Sequence, residues 1–372
     1  MTEPTGNETA RYVRHIALPQ IGLEGQLKLR SSGVLVIGAG GLGCPALMYL
    51  AAGGVGKIGI VDDDAVSVNN LHRQVLFSMA DVGKNKARAA AGRLKDMNPA
   101  CDVVTIEKRF SPSSAETMLS GWDVVLDCTD NFPTRNLINA ACLLSGKPLV
   151  YGAVYRFEGH ASVFNHKGGP CYRCLFPSLD GEKNGSCEEA GIIGPAAGAI
   201  GSVMALEAMK IVLGMETLSG KLFTFDGQFN ESGVLPVRKL PECPFCHAPS
   251  KLRLDRLEAP VSCRAFRAER ISPEKLSARM AAGEKIQLVD VRFEWERGLC
   301  FIRGDVSLPL ERISEGDIPL DPSLDTVIYC KDESRSNKAA ELLAAKGFGK
   351  LSVLEGGITL WADKIDGNMT RY

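Results

Sequence analysis

The segment from Val34 to Asp62 constrains the fold more than any other part of the chain. Val34-Leu35-Val36-Ile37 is a short apolar run bounded by glycines, the pattern of a strand buried on both faces. Gly38-Ala39-Gly40-Gly41-Leu42-Gly43 follows, then a stretch of helical length to Ala52 and a second strand candidate over 57–62. Strand, glycine turn, helix and strand make a βαβ unit, whose two strands must lie parallel in one sheet. The alternation continues with a helix over 84–97 and strands over 103–106, 124–127 and 148–150. This order predicts a Rossmann-like, doubly wound α/β domain on a mixed, mostly parallel sheet.

From Ala153 the sequence becomes Gly-rich and less periodic, until the run 198–213 reads as a buried helix. A charged, aperiodic stretch over 249–270 reads as a linker. A second, small α/β unit follows over 271–372, with strands over 287–290 and 326–330 and a helix over 336–346. Two domains suit a chain of 372 residues, 45% of them hydrophobic, which is too long for one ordinary core. With 43 Lys and Arg against 44 Asp and Glu, the net charge of −1 gives no broad basic footprint, so neither nucleic acid nor an anionic membrane is an expected partner. The first twenty residues hold no apolar core of a signal peptide, and no uninterrupted apolar run reaches about 18 residues, so a cytosolic protein is expected. The 12 cysteines are too sparse for a secreted disulfide scaffold, and four of them form two C-x-x-C pairs, so they are expected to bind metal or do chemistry.

Gly38, Gly40 and Gly43 form a G-x-G-x-x-G turn, which lets phosphate approach backbone amides at the positive end of a helix. Asp62, at the end of the second strand, stands where a carboxylate accepts from a ribose hydroxyl. NAD and ATP share that ribose, so an oxidoreductase remains one reading of these residues. The following segments favour ATP: Asn69-Asn70-Leu71-His72-Arg73-Gln74, Gly83-Lys84-Asn85-Lys86 and Asp127-Cys128-Thr129-Asp130-Asn131. Attack on an α-phosphorus calls for cations around the phosphates and a carboxylate for magnesium, whereas hydride transfer does not.

Together with Arg11-Tyr12-Val13-Arg14-His15, these segments resemble the ThiF/MoeB family of ubiquitin-activating-like adenylyltransferases over residues 11–248. The resemblance implies that Gly41, Asp62, Asn70, Arg73 and Lys86 hold ATP, with Asn69 and Asn131 beside it, and that Asp130 holds Mg²⁺. It also implies that Arg14 reaches into a neighbouring subunit's site, which makes the protein a homodimer. Cys171-x-x-Cys174 and Cys243-x-x-Cys246 supply four thiolates, read as a structural Zn²⁺ site in preference to a redox disulfide. Cys187 follows a Gly-containing stretch and precedes Gly191-Ile192-Ile193-Gly194-Pro195, the place of the family's second catalytic cysteine. Its neighbours Glu188 and Glu189 would tend to raise a thiol pKa, so its activation would have to come from elsewhere.

Residues 271–372 resemble a rhodanese domain, with Asp290-Val291-Arg292 early, Gly356-Gly357-Ile358 late, and Cys330-Lys331-Asp332-Glu333-Ser334-Arg335-Ser336 between them. Strand, loop and helix there form an anion cradle expected to carry a persulfide on Cys330, with Arg335 adding positive charge. Asp332 and Glu333 depart from the family, which commonly has small residues there, and are expected to disfavour a small anionic donor such as thiosulfate. The two resemblances imply adenylylation of the C-terminal Gly-Gly carboxylate of a ubiquitin-like sulfur carrier, then sulfur transfer from Cys330. The donor is expected to be a cysteine desulfurase or another protein persulfide. The alternative is an adenylyltransferase whose rhodanese domain only docks the carrier or a desulfurase.

Overall fold

A computed structural model describes residues 6–177, 191–257 and 268–372, and the chain divides into two compact units, Met1–Ala259 and Pro260–Tyr372. The first unit is built on eight strands: β1 (Gly33–Ile37), β2 (Lys57–Val61), β3 (Asp102–Ile106), β4 (Val124–Asp127), β5 (Leu149–Tyr155), β6 (Glu158–Phe164), β7 (Lys221–Asp226) and β8 (Glu231–Pro236). Their order is β3-β2-β1-β4-β5-β6-β7-β8, parallel from β3 to β5 and antiparallel from β5 to β8.

Strand β1 lies at the centre of the parallel part and is buried throughout. Val34 and Val36 pack to one side with Leu47 and Leu50 of helix Gly43–Ala52, Leu94 of helix Lys86–Met97, and Ile200 and Met204 of helix Gly194–Leu213. Leu35 and Ile37 face the other side, with Met118 and Leu119 of helix Pro112–Leu119 and Ile138 of helix Phe132–Ser145. The alternation along a strand thus supplies both layers, which is why the run contains no polar residue.

The antiparallel extension was not legible in the residues after Ala153, for a packing reason. A Cβ on Gly152 of β5 would lie 2.3 Å from the Met204 sulfur, and one on Gly159 of β6 would lie 2.4 Å from Ile200. The glycines that erase the strand periodicity are the places where helix Gly194–Leu213 presses on the sheet. That helix is long and apolar enough by composition to cross a membrane. Here its buried residues, Ala196, Ile200, Met204 and Ala208 among them, belong to the core of the first unit.

Of the stretch read as a linker, residues 258–267 lie outside the described residues. The part before them is docked: turns Pro249–Lys251 and Leu254–Arg256 belong to the first unit, and Leu252 packs beside Cys171 and Cys243. The part after them already belongs to the second unit's sheet. That sheet has β9 (Glu269–Ile271), β10 (Ile286–Asp290), β11 (Val306–Ser307), β12 (Asp325–Tyr329) and β13 (Leu351–Leu354), all parallel in the order β11-β10-β12-β13-β9. Ile328 and Cys330 pack to one face of this sheet, Val327 and Tyr329 to the other.

Candidate active site

Strand order reverses between β1 and β4, so the loops after them open a crevice at their carboxyl ends. Gly38 has φ +96°, and a Cβ there would lie 2.8 Å from the Cys128 carbonyl. A Cβ on Gly43 would lie only 2.0 Å from the Gly38 carbonyl, so the helix start closes directly onto the turn. Gly40 faces more open space, its nearest neighbour being the Gln74 amide at 3.7 Å. Gly43→Ala should therefore destabilise the first unit by about 3 kcal/mol in urea unfolding, and Gly40→Ala by less than about 1 kcal/mol. Equal effects would refute this account of the turn.

One oxygen of Asp62 accepts from the Ala39 amide at 2.7 Å and the other from the Asp64 amide at 2.9 Å. The carboxylate thus ties β2 to the glycine turn and has lone pairs left for a ribose. Burial pushes its pKa up, and the nearby Lys86 opposes that shift. Lys86 is itself buried and donates to Asp64 at 2.8 Å.

Arg73 is held by its own turn. It donates to the Asn70 side chain at 2.6 Å and to the Asn69 carbonyl at 3.2 Å, while Asn70 donates to Ser67 at 2.7 Å. Gly41 completes this wall, since a Cβ there would meet Ala197 at 3.4 Å and Arg73 at 3.7 Å. The asparagines read as nucleotide contacts thus also orient the guanidinium.

After β4, Asp127 is buried and accepts from the Thr129 amide at 3.0 Å and hydroxyl at 2.6 Å. From the other side Arg135 donates to the Thr129 carbonyl at 3.2 and 2.6 Å. These contacts fix the loop that presents Asp130, which is exposed. Asn131 has a structural duty as well: its side chain accepts from the Thr134 amide at 3.0 Å and caps helix Phe132–Ser145. Arg14 is exposed on helix Gly6–Ile16, and no hydrogen bond or ion pair joins it to the glycine turn among the described residues. Cys187 lies outside the described residues.

Cys171, Cys174, Cys243 and Cys246 come together across 72 residues of sequence, with sulfur separations of 3.9 Å (Cys171–Cys174), 3.6 Å (Cys171–Cys243) and 3.5 Å (Cys174–Cys246). All four sulfurs lie within 4.8 Å of one another, a cage that fits a metal ion.

In the second unit, Cys330 follows β12 and is fully buried at the base of a loop entering helix Ser334–Ala345. Its sulfur lies 3.5 Å from the Ser336 hydroxyl and 3.8 Å from a carboxylate oxygen of Asp332. The Gly356-Gly357 turn closes the loop from behind. Ile358 donates its amide to the Cys330 carbonyl at 2.9 Å, and a Cβ on Gly357 would lie 2.6 Å from the Cys330 and Lys331 carbonyls.

Arg335, expected to add positive charge here, donates through both terminal nitrogens to the buried carboxylate of Glu296, at 2.5 and 2.7 Å. Burial alone would raise the Glu296 pKa, but Arg335 and the Phe293 amide hold it below the usual carboxylate range. Asp290 and Arg292 form a fully buried ion pair, and Arg292 also donates to the Tyr372 hydroxyl at 2.6 Å. Tyr372 in turn donates to Glu296 at 2.8 Å, and its ring lies 4.6 Å from the Lys331 ammonium. Glu296 and Tyr372 escaped the sequence reading because nothing local marks a residue whose role is to pair with a side chain far along the chain.

The ThiF family matches residues 12–245 and the rhodanese-like domain matches residues 272–364. The chain is 39% identical over 376 residues to the probable adenylyltransferase/sulfurtransferase MoeZ of Mycobacterium tuberculosis, covering 98% of this chain and 95% of that one. It is 37% identical over 403 residues to the adenylyltransferase and sulfurtransferase MOCS3 of Mus musculus, covering 98% and 88%. Among solved structures, E. coli MccB crystallised with ATP has a TM-score of 0.57 at 22% identity, covering 65% of this chain and 75% of that one. At that identity the likeness is one of fold.

Proposed function

The chain belongs to the ThiF family and carries a rhodanese-like domain, and from that premise we propose that it adenylylates the Gly-Gly carboxylate of a ubiquitin-like sulfur carrier and then installs sulfur from Cys330. The supporting observation is the presence, in one chain, of a glycine turn flanked by Asp62, Arg73, Lys86 and Asp130 at a strand-order reversal and of a separate loop built around a buried cysteine.

The carrier carboxylate attacks the α-phosphorus of ATP, pyrophosphate leaves, and an acyl-adenylate forms. Gly38 to Gly43 receive the phosphates, Asp62 the ribose, and Arg73 and Lys86 oppose the charge that grows on the phosphate oxygens. Asp130 would hold Mg²⁺, which neutralises phosphate charge when bound. The terminal sulfur of a Cys330 persulfide then attacks the acyl carbon, AMP leaves, and an acyl disulfide results. Cys187 or an external thiol attacks the Cys330 sulfur of that disulfide, releasing the carrier thiocarboxylate and leaving Cys330 in a disulfide with the attacking thiol. Sulfur reaches Cys330 from a cysteine desulfurase or another persulfide protein. The protein acts in the cytosol as a homodimer in which Arg14 completes the partner's site.

The deciding experiment incubates a Gly-Gly-ended carrier with the full chain, ATP, Mg²⁺ and a persulfide donor and reads the carrier's intact mass. One oxygen replaced by sulfur is the expected product. An adenylate without any sulfur exchange would leave only the activating half.

We assign Zn²⁺ to the cysteine cage. Four thiolates about 2.3 Å from zinc stand about 3.8 Å apart in a tetrahedron, close to the separations found here. The thiolates leave no open position, so the ion is structural. Elemental analysis should find one zinc per chain, and Cys243→Ser should lose it and lower the melting temperature by about 10 °C. A metal-free native protein of unchanged stability would exclude this assignment.

A further inference from the structure

We infer that Asp332 is the residue that decides which sulfur donors Cys330 accepts, turning away sulfonate-bearing donors such as thiosulfate in favour of persulfides carried on another protein. The inference rests on the sulfurtransferase reading above and separates the two loop carboxylates, which the sequence places side by side.

One oxygen of Asp332 accepts from the Glu333 amide at 2.7 Å, the Ser334 amide at 2.9 Å and the Ser334 hydroxyl at 2.8 Å. The Cys330 thiol also points at it, at 3.8 Å. These two amides lead into helix Ser334–Ala345, where a bound anion would find its donors. In this loop a carboxylate of the chain already takes them. Burial would favour the neutral acid, but the Ser334 and Glu333 contacts and Arg335 keep the Asp332 pKa below the usual carboxylate range.

Glu333 points elsewhere. One oxygen accepts from the Gly356 amide at 2.8 Å and the other from Arg270 at 2.5 Å, so this side chain joins the loop to the Gly356-Gly357 turn and to β9. Arg335 is neutralised by Glu296. The loop therefore presents an incoming anion with an ionised carboxylate and with donors that are already engaged.

The two donor classes differ in their leaving groups. When the Cys330 thiolate attacks the outer sulfur of thiosulfate, the sulfur–sulfur bond breaks and sulfite departs with the electron pair and two negative charges. That charge must be met by donors in this loop, and Asp332 both holds the donors and repels the sulfite. When the donor is a protein persulfide, the departing thiolate is the donor's own cysteine and stays in the donor's site. No leaving-group charge then calls on the amides of Glu333 and Ser334.

The test measures the rate at which Cys330 of the full-length protein gains one sulfur, by alkylation and mass spectrometry, from thiosulfate and from a persulfide-charged cysteine desulfurase. Wild type should load at least about tenfold faster from the desulfurase. Asp332→Gly, which frees both amides, should raise the thiosulfate-to-desulfurase ratio at least about tenfold, and Asp332→Asn, which keeps a capping side chain, at least about threefold. Glu333→Gln should move the ratio by less than about twofold. A wild-type protein loaded equally fast by both donors, or unchanged ratios in both Asp332 variants, would overturn the inference alone. Failure of Cys330 to gain sulfur from either donor in any variant would overturn it together with the sulfurtransferase reading.

Discussion

Cys330→Ala is expected to lower carrier thiocarboxylate formation by at least about three orders of magnitude while ATP–pyrophosphate exchange with the carrier persists. In the proposed mechanism the sulfur of Cys330 is the atom that receives, carries and delivers the transferred sulfur, and no neighbouring group can replace it. Ser336, 3.5 Å away, has a hydroxyl that forms no persulfide. The residues proposed for adenylylation lie in the other unit, on loops after β1, β2 and β4. Substitution by alanine removes only the sulfur from a site enclosed by Ser336 and the Gly356-Gly357 turn, so the fold should persist. Thiocarboxylate formed at the wild-type rate by Cys330→Ala would mean that the second unit only docks a partner and that sulfur is supplied in trans.

The second large effect is expected at Asp130. Asp130→Ala should reduce ATP–pyrophosphate exchange by about two to three orders of magnitude with a change in stability below about 0.5 kcal/mol. The side chain is exposed, and the Asn131 side-chain amide donates to it only at the long distance of 3.4 Å. It therefore holds nothing together that a carboxylate must hold. Asn131→Ala should behave in the opposite way, losing about 1 kcal/mol through the missing helix cap, with a smaller effect on exchange. Urea unfolding and isotope exchange on the same two variants separate the roles. Comparable stability losses in both would show Asp130 to be a structural residue.

The βαβ start was readable because its determinants are local. A both-faces-buried strand needs an unbroken apolar run, and Gly38 and Gly43 occupy positions where a Cβ would strike the Cys128 or Gly38 carbonyl. The end of β5 and its antiparallel partner β6 were not readable, because Gly152 and Gly159 answer to a helix that arrives some forty residues later. The four cysteines announced themselves by spacing within each pair, yet their meeting across 72 residues depends on the fold bringing the segment around Cys243 beside the segment around Cys171.

The candidate site divides along the same line. The chain's residue order alone determined which side chains could do chemistry: the glycine turn, Asp62, Arg73, Lys86, Asp130, the paired cysteines and Cys330. Only the tertiary structure decided which of the charges around them are free. Arg335 is paired with Glu296 across 39 residues, and Glu333 is tied to Gly356 across 23, while Asp332 fills the amides beside Cys330. The reason is that steric demands of a turn or a strand are set by neighbours along the chain, whereas the electrostatic state of a charge is set by whichever partners the packed elements bring within a hydrogen bond of it.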